Sequence, residues 1–114
     1  MLFASVPVTD PTRARAWYEQ LFGRPADIIP NDSEEMWRIA DGAWLYVIAD
    51  PERAGRTVIT LCVPDLDEAT TSLEGRGILV GSHEAVGTAG RKAWLSDPDG
   101  NAVALIEVRQ AGDA

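Results

Sequence analysis

The side chains that could do covalent or metal chemistry are few in this 114-residue sequence. The single cysteine, Cys62, lies in an apolar stretch with no histidine placed to activate it, which favours an inert structural thiol over a nucleophile. Ser5 and Thr60 lack a candidate base in the same way. The only histidine, His83, directly precedes Glu84, and adjacent residues of a strand point to opposite sides. These two residues therefore do not form a chelating pair.

The charge balance bears on the kind of partner. Eighteen acidic against ten basic residues give a formal net charge of −8. This argues against nucleic acid, whose phosphates need clustered Lys and Arg, and against anionic membrane surfaces. It is compatible with a cationic or neutral small ligand, although acidity also simply keeps a protein soluble.

Composition and length indicate one globular domain, spanning residues 1–114. No apolar run approaches the roughly 20 residues of a membrane span. The first residues carry neither a basic region nor a long apolar stretch, so we expect a cytoplasmic protein with no membrane partner. One cysteine also excludes an internal disulfide and Cys-rich zinc sites.

The positioning elements begin with a strand and a helix. Residues 2–8 are predicted to form a short apolar strand, and residues 11–22 a helix with one apolar face. Thr9 or Asp10 can cap the free amides at the start of the helix. Gly23 is a natural residue for its end.

The same pattern returns in the second half of the chain. Val8-Thr9-Asp10 matches Val63-Pro64-Asp65 at an offset of 55 residues, and a second helix is predicted to run from Asp65 to about Gly77. Each strand–helix unit precedes three more strand-like stretches. Further strands are predicted at 26–31, 34–40, 43–49, 78–86, 91–96 and 101–108, and a strand starts at Val58. The result is two βαβββ modules, about 1–50 and about 56–109, with a tail at 110–114.

This tandem arrangement resembles the vicinal oxygen chelate superfamily, which includes glyoxalase I, bleomycin resistance proteins and extradiol dioxygenases. The resemblance implies an α+β fold in which curved sheets form a cup with helices outside, and chains that pair as homodimers. The segments that carry it are Val6-Pro7-Val8-Thr9-Asp10, Trp17-Tyr18-Glu19-Gln20-Leu21-Phe22-Gly23, Val63-Pro64-Asp65-Leu66-Asp67-Glu68-Ala69 and Asp97-Pro98-Asp99-Gly100-Asn101.

Metal-using members of that superfamily place four ligands in the cup, two from each module. The matching positions here hold Phe3, Tyr46, Val58 and Ala104. Three of these side chains offer no donor, and neutral tyrosine is a poor one. The resemblance therefore implies a member without the usual metal ligands, and we expect no metal and no other cofactor.

Strand alternation then predicts which side chains line the cup. The ligand-binding candidates are Phe3, Ser5, Trp44, Tyr46, Val58, Thr60, Cys62, Ala104 and Ile106, with Trp37 and Trp94 as further walls whose side is open. Aromatic side chains in a concave site bind planar or cationic ligands, although strand tryptophans also serve as core. The carboxylates of Asp97 and Asp99 are expected to be solvated turn residues. Arg38 and Arg109 are expected at the surface, where they could hold an anion.

Three functions follow. The first is a metal-free, glyoxalase/bleomycin-resistance-like protein that sequesters an aromatic or cationic natural product or antibiotic, with no catalytic residue. The alternative is a lyase, isomerase or dioxygenase of the same superfamily, either metal-free or with an atypically placed metal. The third is a small dimeric domain that acts through a protein partner.

Overall fold

Each half of the chain forms a four-stranded sheet with one helix packed against it. The computed structural model describes residues 1–108, so Arg109 and the 110–114 tail lie outside the described residues. The strand orders are β1-β4-β3-β2 and β5-β8-β7-β6, which confirms the α+β fold with two βαβββ modules. The elements are β1 (Leu2–Val8), α1 (Pro11–Phe22), β2 (Ile28–Asn31), β3 (Glu34–Ala40), β4 (Ala43–Ala49), β5 (Val58–Cys62), α2 (Leu66–Gly75), β6 (His83–Val86), β7 (Gly90–Ser96) and β8 (Ala102–Val108).

The outer strands β2 and β6 are shorter than predicted. The stretch 78–86 was expected to be one strand, but only its last four residues pair continuously with β7. Before them, two backbone hydrogen bonds link the chain to β7, from Gly81 N to Trp94 O and from Trp94 N to Ser82 O. None of the described helices is long and apolar enough to cross a membrane.

The helix ends follow the sequence signals. The Asp10 carboxylate accepts from the Thr12 and Arg13 amides at 3.0 and 3.4 Å. The Asp65 carboxylate accepts from the Glu68 amide at 3.1 Å. Gly23 ends α1 with a φ of 69°, a left-handed conformation that favours glycine. The predicted caps are therefore confirmed, with Asp10 rather than Thr9 in the role.

One face of each sheet packs against its own helix and forms the core. In module one, Val6, Val47 and Trp37 are fully buried beneath α1. The corresponding layer of module two contains Leu95, Val103 and Leu105. Burying these aliphatic and aromatic side chains supplies the main driving force for folding.

A buried polar cluster joins the two modules. Asp97, in the turn between β7 and β8, is only 4% exposed, which corrects the expectation that its carboxylate is solvated. Its oxygens accept from Tyr18 Oη at 2.9 Å and from the Asn101 side-chain amide at 2.8 Å. Asn101 also donates to Pro7 O at 3.0 Å. Asp97 is buried because these donors replace the water it loses.

The neighbouring Asp99 also takes part in the contact between modules. Its carboxylate accepts from the Thr9 hydroxyl at 2.6 Å. Its carbonyl oxygen lies close to the linker, where a Cβ on Gly55 would come within 2.6 Å of it. Gly55 also has a φ of +85°, so both space and backbone conformation require glycine here.

Candidate functional site

The face of each sheet opposite its helix carries the predicted site residues. We call these surfaces open face one and open face two. Open face one, on the first sheet, contains Phe3, Ser5, Glu34, Met36, Arg38, Trp44, Tyr46 and Ile48. Open face two, on the second sheet, contains Val58, Thr60, Cys62, Glu84, Lys92, Trp94, Ala104 and Ile106.

Strand alternation places ten of the eleven candidate residues on these two surfaces. Phe3 is 52% exposed and Val58 is 65% exposed, as expected for residues that face a ligand or a partner. Cys62 lies on the same face as Val58 and is exposed. Ala104 lies on open face two as predicted but is fully buried. Its methyl group therefore offers no surface to a ligand in the single chain.

Trp37 is the exception, and its prediction as a site wall is wrong. Its indole is fully buried on the helix-facing side of β3, and Nε1 donates to Arg24 O at 3.1 Å. The cause is a bulge in the β3–β4 hairpin. Ala40 pairs with Ala43, yet Arg38 already pairs with Trp44. One extra residue therefore lies between these two pairs on β3. It moves every earlier residue of β3 to the opposite face of the sheet.

Open face one holds a shallow hollow of about 390 Å³. Its lining residues are Phe3, Glu34, Met36, Tyr46 and Ile48. The rings of Phe3 and Tyr46 meet edge to face, with centroids 6.5 Å apart. Glu34 is the one charged residue among them, and within residues 1–108 its carboxylate forms no ion pair, only a 3.4 Å contact with the Asn31 amide.

Sequence reasoning missed Glu34 and Met36 in this hollow. Their side depends on the same hairpin bulge that moves Trp37 to the core, and no turn residue in the sequence marks that bulge. Arg38 shares this face and is exposed, and its guanidinium contacts Asp41 at 2.5 Å. It therefore lies at the surface as expected.

Open face two has a different character because an indole lies between two charged groups. Trp94 Nε1 donates to Glu84 Oε1 at 2.9 Å. Lys92 Nζ lies 5.0 Å from the centroid of the Trp94 ring, within range of a cation–π interaction. Glu84 and Lys92 were not among the candidates, although alternation from Trp94 would have placed Lys92 on the same face.

The four positions that the resemblance assigns to metal ligands do not fit a divalent cation. Phe3, Val58 and Ala104 have no donor atom, and Tyr46 offers only a phenol. Within residues 1–108, no three His, Cys, Asp or Glu side chains lie close enough to hold a metal. We therefore derive no chemical step through a metal at this site.

A second hollow of about 380 Å³ lies at the junction of the modules. Its walls are mainly apolar and come from the end of α1, from β5 and from α2, with Arg76 and Ser72 as polar residues. Arg76 already donates to the carbonyl oxygens of Gln20 and Leu21, so it ties the end of α1 to module two. Cys62 is the only candidate residue that reaches this hollow.

Comparison with known proteins agrees with this architecture. Residues 3–106 match the model of the glyoxalase-like domain. No curated protein sequence matches the chain. A glyoxalase / bleomycin resistance protein from Catenulispora acidiphila DSM 44928 is 37% identical, with a TM-score of 0.89 over 95% of this chain and 97% of that chain.

Two further structures are more distant. TnmS3, an antibiotic binding protein from Streptomyces sp. CB03234, is 26% identical, with a TM-score of 0.74 over 94% of this chain and 93% of that chain. A bleomycin-binding protein complexed with bleomycin is 23% identical, with a TM-score of 0.75 over 96% and 98%, and shows the fold alone. On the family match and the 37% identical structure, the chain belongs to the glyoxalase-like domain family of the vicinal oxygen chelate superfamily.

Proposed function

We propose that this protein binds a cationic aromatic small molecule of the natural-product or antibiotic class and releases it chemically unchanged. The observation that carries the proposal is the hollow of open face one. Two aromatic rings and a carboxylate line it, and no Lys or Arg does among the described residues. A planar cation would stack on Phe3 and Tyr46 while Glu34 balances its charge.

The net charge and the relatives support this choice. A formal charge of −8 attracts cations to the molecule as a whole. TnmS3 is named as an antibiotic binding protein, and a further structural relative was obtained in complex with bleomycin. Three of the four metal-ligand positions carry no donor atom and the fourth carries only the Tyr46 phenol, which favours binding over the metal-dependent reactions of the superfamily.

We further propose that two copies of the chain form the complete site. Only module one lines the hollow of open face one, so the second module of the same chain does not close it. Phe3 on open face one and Val58 on open face two are large apolar side chains that remain more than half exposed. Such surface on a single chain is typical of an interaction site. A homodimer would bury it by setting open face two of one copy over open face one of the other.

Calorimetric titration with 9-aminoacridine, a planar aromatic cation, tests the binding. We expect saturable binding that Tyr46→Ala abolishes and that Glu34→Gln weakens about fivefold to tenfold, since losing one charge contact costs on the order of 1 kcal/mol. Glu52→Gln, an equal charge change in the exposed linker, should bind like the wild type.

The bound compound is then released, and its molecular mass is measured by mass spectrometry. An unchanged mass supports sequestration. A changed mass would instead identify a lyase, isomerase or dioxygenase, and equal binding by Glu34→Gln and the wild type would remove the hollow as the site.

A further inference from the structure

The second hollow, which we call the junction hollow because both modules line it, differs in chemistry from the hollow of open face one. Most of its apolar wall is aliphatic and consists of Leu21, Ile39, Leu61, Val63, Leu73 and Leu105. Phe22 is its only aromatic residue, and this ring already packs in the core, with its centroid 5.5 Å from that of Trp37 and 6.4 Å from that of Tyr18. A wall of branched side chains without a pair of free rings favours an aliphatic chain over a planar ligand.

Arg76 is the one charged residue on the wall of the junction hollow. Its Nε and Nη2 donate to the carbonyl oxygens of Gln20 and Leu21, and these bonds fix the position of the guanidinium. Within residues 1–108, Nη1 forms no hydrogen bond and the guanidinium forms no ion pair. The Ser72 hydroxyl, one helical turn earlier on the same face, also has no partner in the described part of the chain. These donors are suited to a carboxylate, which a guanidinium binds through charge-assisted hydrogen bonds.

The overall negative charge of the protein opposes an anion only from outside the junction hollow. None of the residues that line the hollow is Asp or Glu. At an ionic strength of 0.15 M, salt screens more distant charges over about 8 Å. A carboxylate in contact with Arg76 is bound at hydrogen-bond distance, so the local charge decides which head group is preferred.

We propose that the junction hollow is a second binding site and that its ligand is a medium-chain aliphatic carboxylate. The chain lies between the aliphatic side chains of α1, β5 and α2, and the carboxylate accepts hydrogen bonds from Arg76 and Ser72. A volume of about 380 Å³ lies within the range of small-molecule sites. The site is separate from the hollow of open face one and does not depend on the proposed function.

Three ligands of equal chain length test the head group. They are octanoate, 1-octanol and octylammonium, each titrated into the wild type by calorimetry in 0.15 M salt. We expect octanoate to bind about fivefold to tenfold more tightly than 1-octanol, because only the carboxylate gains charge-assisted hydrogen bonds. Octylammonium should bind more weakly than 1-octanol because Arg76 repels it. Hexanoate, which is two methylenes shorter, should bind about fivefold to fifteenfold more weakly than octanoate, since each buried methylene contributes to affinity.

Two pairs of variants place the ligand in the junction hollow. Ser72→Trp fills the hollow and should abolish octanoate binding, whereas Thr71→Trp changes an exposed neighbour that does not line it and should bind octanoate like the wild type. Arg76→Gln should remove the preference for octanoate over 1-octanol while 1-octanol still binds. Arg56→Gln removes an equal charge from an exposed residue outside the hollow and should leave the preference intact.

The outcome is distinguishable from that for open face one. Both tryptophan variants should bind 9-aminoacridine like the wild type, since neither residue lies on open face one. Equal binding of octanoate and 1-octanol by the wild type, unchanged octanoate binding by Ser72→Trp, or an unchanged preference in Arg76→Gln would overturn the carboxylate site, even where 9-aminoacridine binds. The head-group comparison uses the wild type alone, so it decides the matter even where a variant does not fold.

Discussion

The two buried carboxyl groups Asp97 and Glu35 differ in how many hydrogen-bond donors surround them. Asp97 accepts hydrogen bonds from a tyrosine hydroxyl, two backbone amides and an asparagine amide. Glu35 is fully buried on the helix-facing side of β3. Its Oε1 contacts Arg15 at 2.9 Å, but its Oε2 has no partner within residues 1–108. Burial raises the pKa of Glu35 above its ordinary value, while Arg15 opposes the rise and Glu19 adds to it.

The raised pKa of Glu35 predicts a pH dependence of stability. The folded state holds the proton at pH values where the unfolded chain has released it. The stabilisation from this group is therefore complete below the ordinary pKa of a glutamate and is lost as the pH rises through the folded value. We expect the free energy of unfolding of the wild type to fall relative to that of Glu35→Gln as the pH rises above the ordinary pKa of a glutamate.

Urea unfolding of both proteins at several pH values measures this difference. Because both proteins share every other titratable group, the contributions of those groups cancel in the comparison. A wild type that instead gains stability over Glu35→Gln with rising pH would show that the Arg15 contact outweighs burial.

At the scale of the elements, the sequence predicted the bounds of β1, α1, β3 and β4 correctly. Strong periodicity and identifiable caps mark these segments. It did not predict the side of β3 that faces the core. A bulge of one residue before Ala40 decides that side, and no turn residue in the sequence marks it. The sequence therefore placed Tyr46 and Trp44 on the open face but missed Glu34 and misplaced Trp37.

The contact between α1 and the β7–β8 turn carries a second prediction. The Tyr18 hydroxyl donates to Asp97 in a buried setting, and burial followed by the negative charge of Asp97 raises the pKa of this tyrosine. Tyr18→Phe removes the donor and leaves a buried carboxylate with one bond fewer. We expect a loss of about 1–3 kcal/mol in the free energy of unfolding.

Tyr46→Phe is the matched control, since the Tyr46 hydroxyl forms no hydrogen bond within residues 1–108. It should unfold in urea within about 0.5 kcal/mol of wild type. A midpoint for Tyr18→Phe that coincides with that of Tyr46→Phe would mean that the polar cluster does not hold the modules together.

At the scale of the whole molecule, the repeat at an offset of 55 residues was enough to predict two βαβββ modules. It could not predict what the two open faces contact, because the repeat specifies the strands and the helix of each module but no partner surface. The chain is elongated, with principal extents of 46 × 29 × 25 Å. The exposed apolar side chains on its sheets support the proposed homodimer.

The proposed homodimer predicts that a charge on open face two separates the copies. Val58 is 65% exposed on edge strand β5, so Val58→Asp should leave the fold of the single chain intact. In the dimer, the new carboxylate would be buried without a partner, which costs several kcal/mol. We expect sedimentation velocity to show a dimer for the wild type, a monomer for Val58→Asp, and loss of 9-aminoacridine binding together with the dimer.

Leu79→Asp is the matched control, because Leu79 is 91% exposed and lies outside both sheets. It should remain dimeric, whereas a wild type that sediments as a monomer, or a Val58→Asp variant that stays dimeric, would exclude this interface.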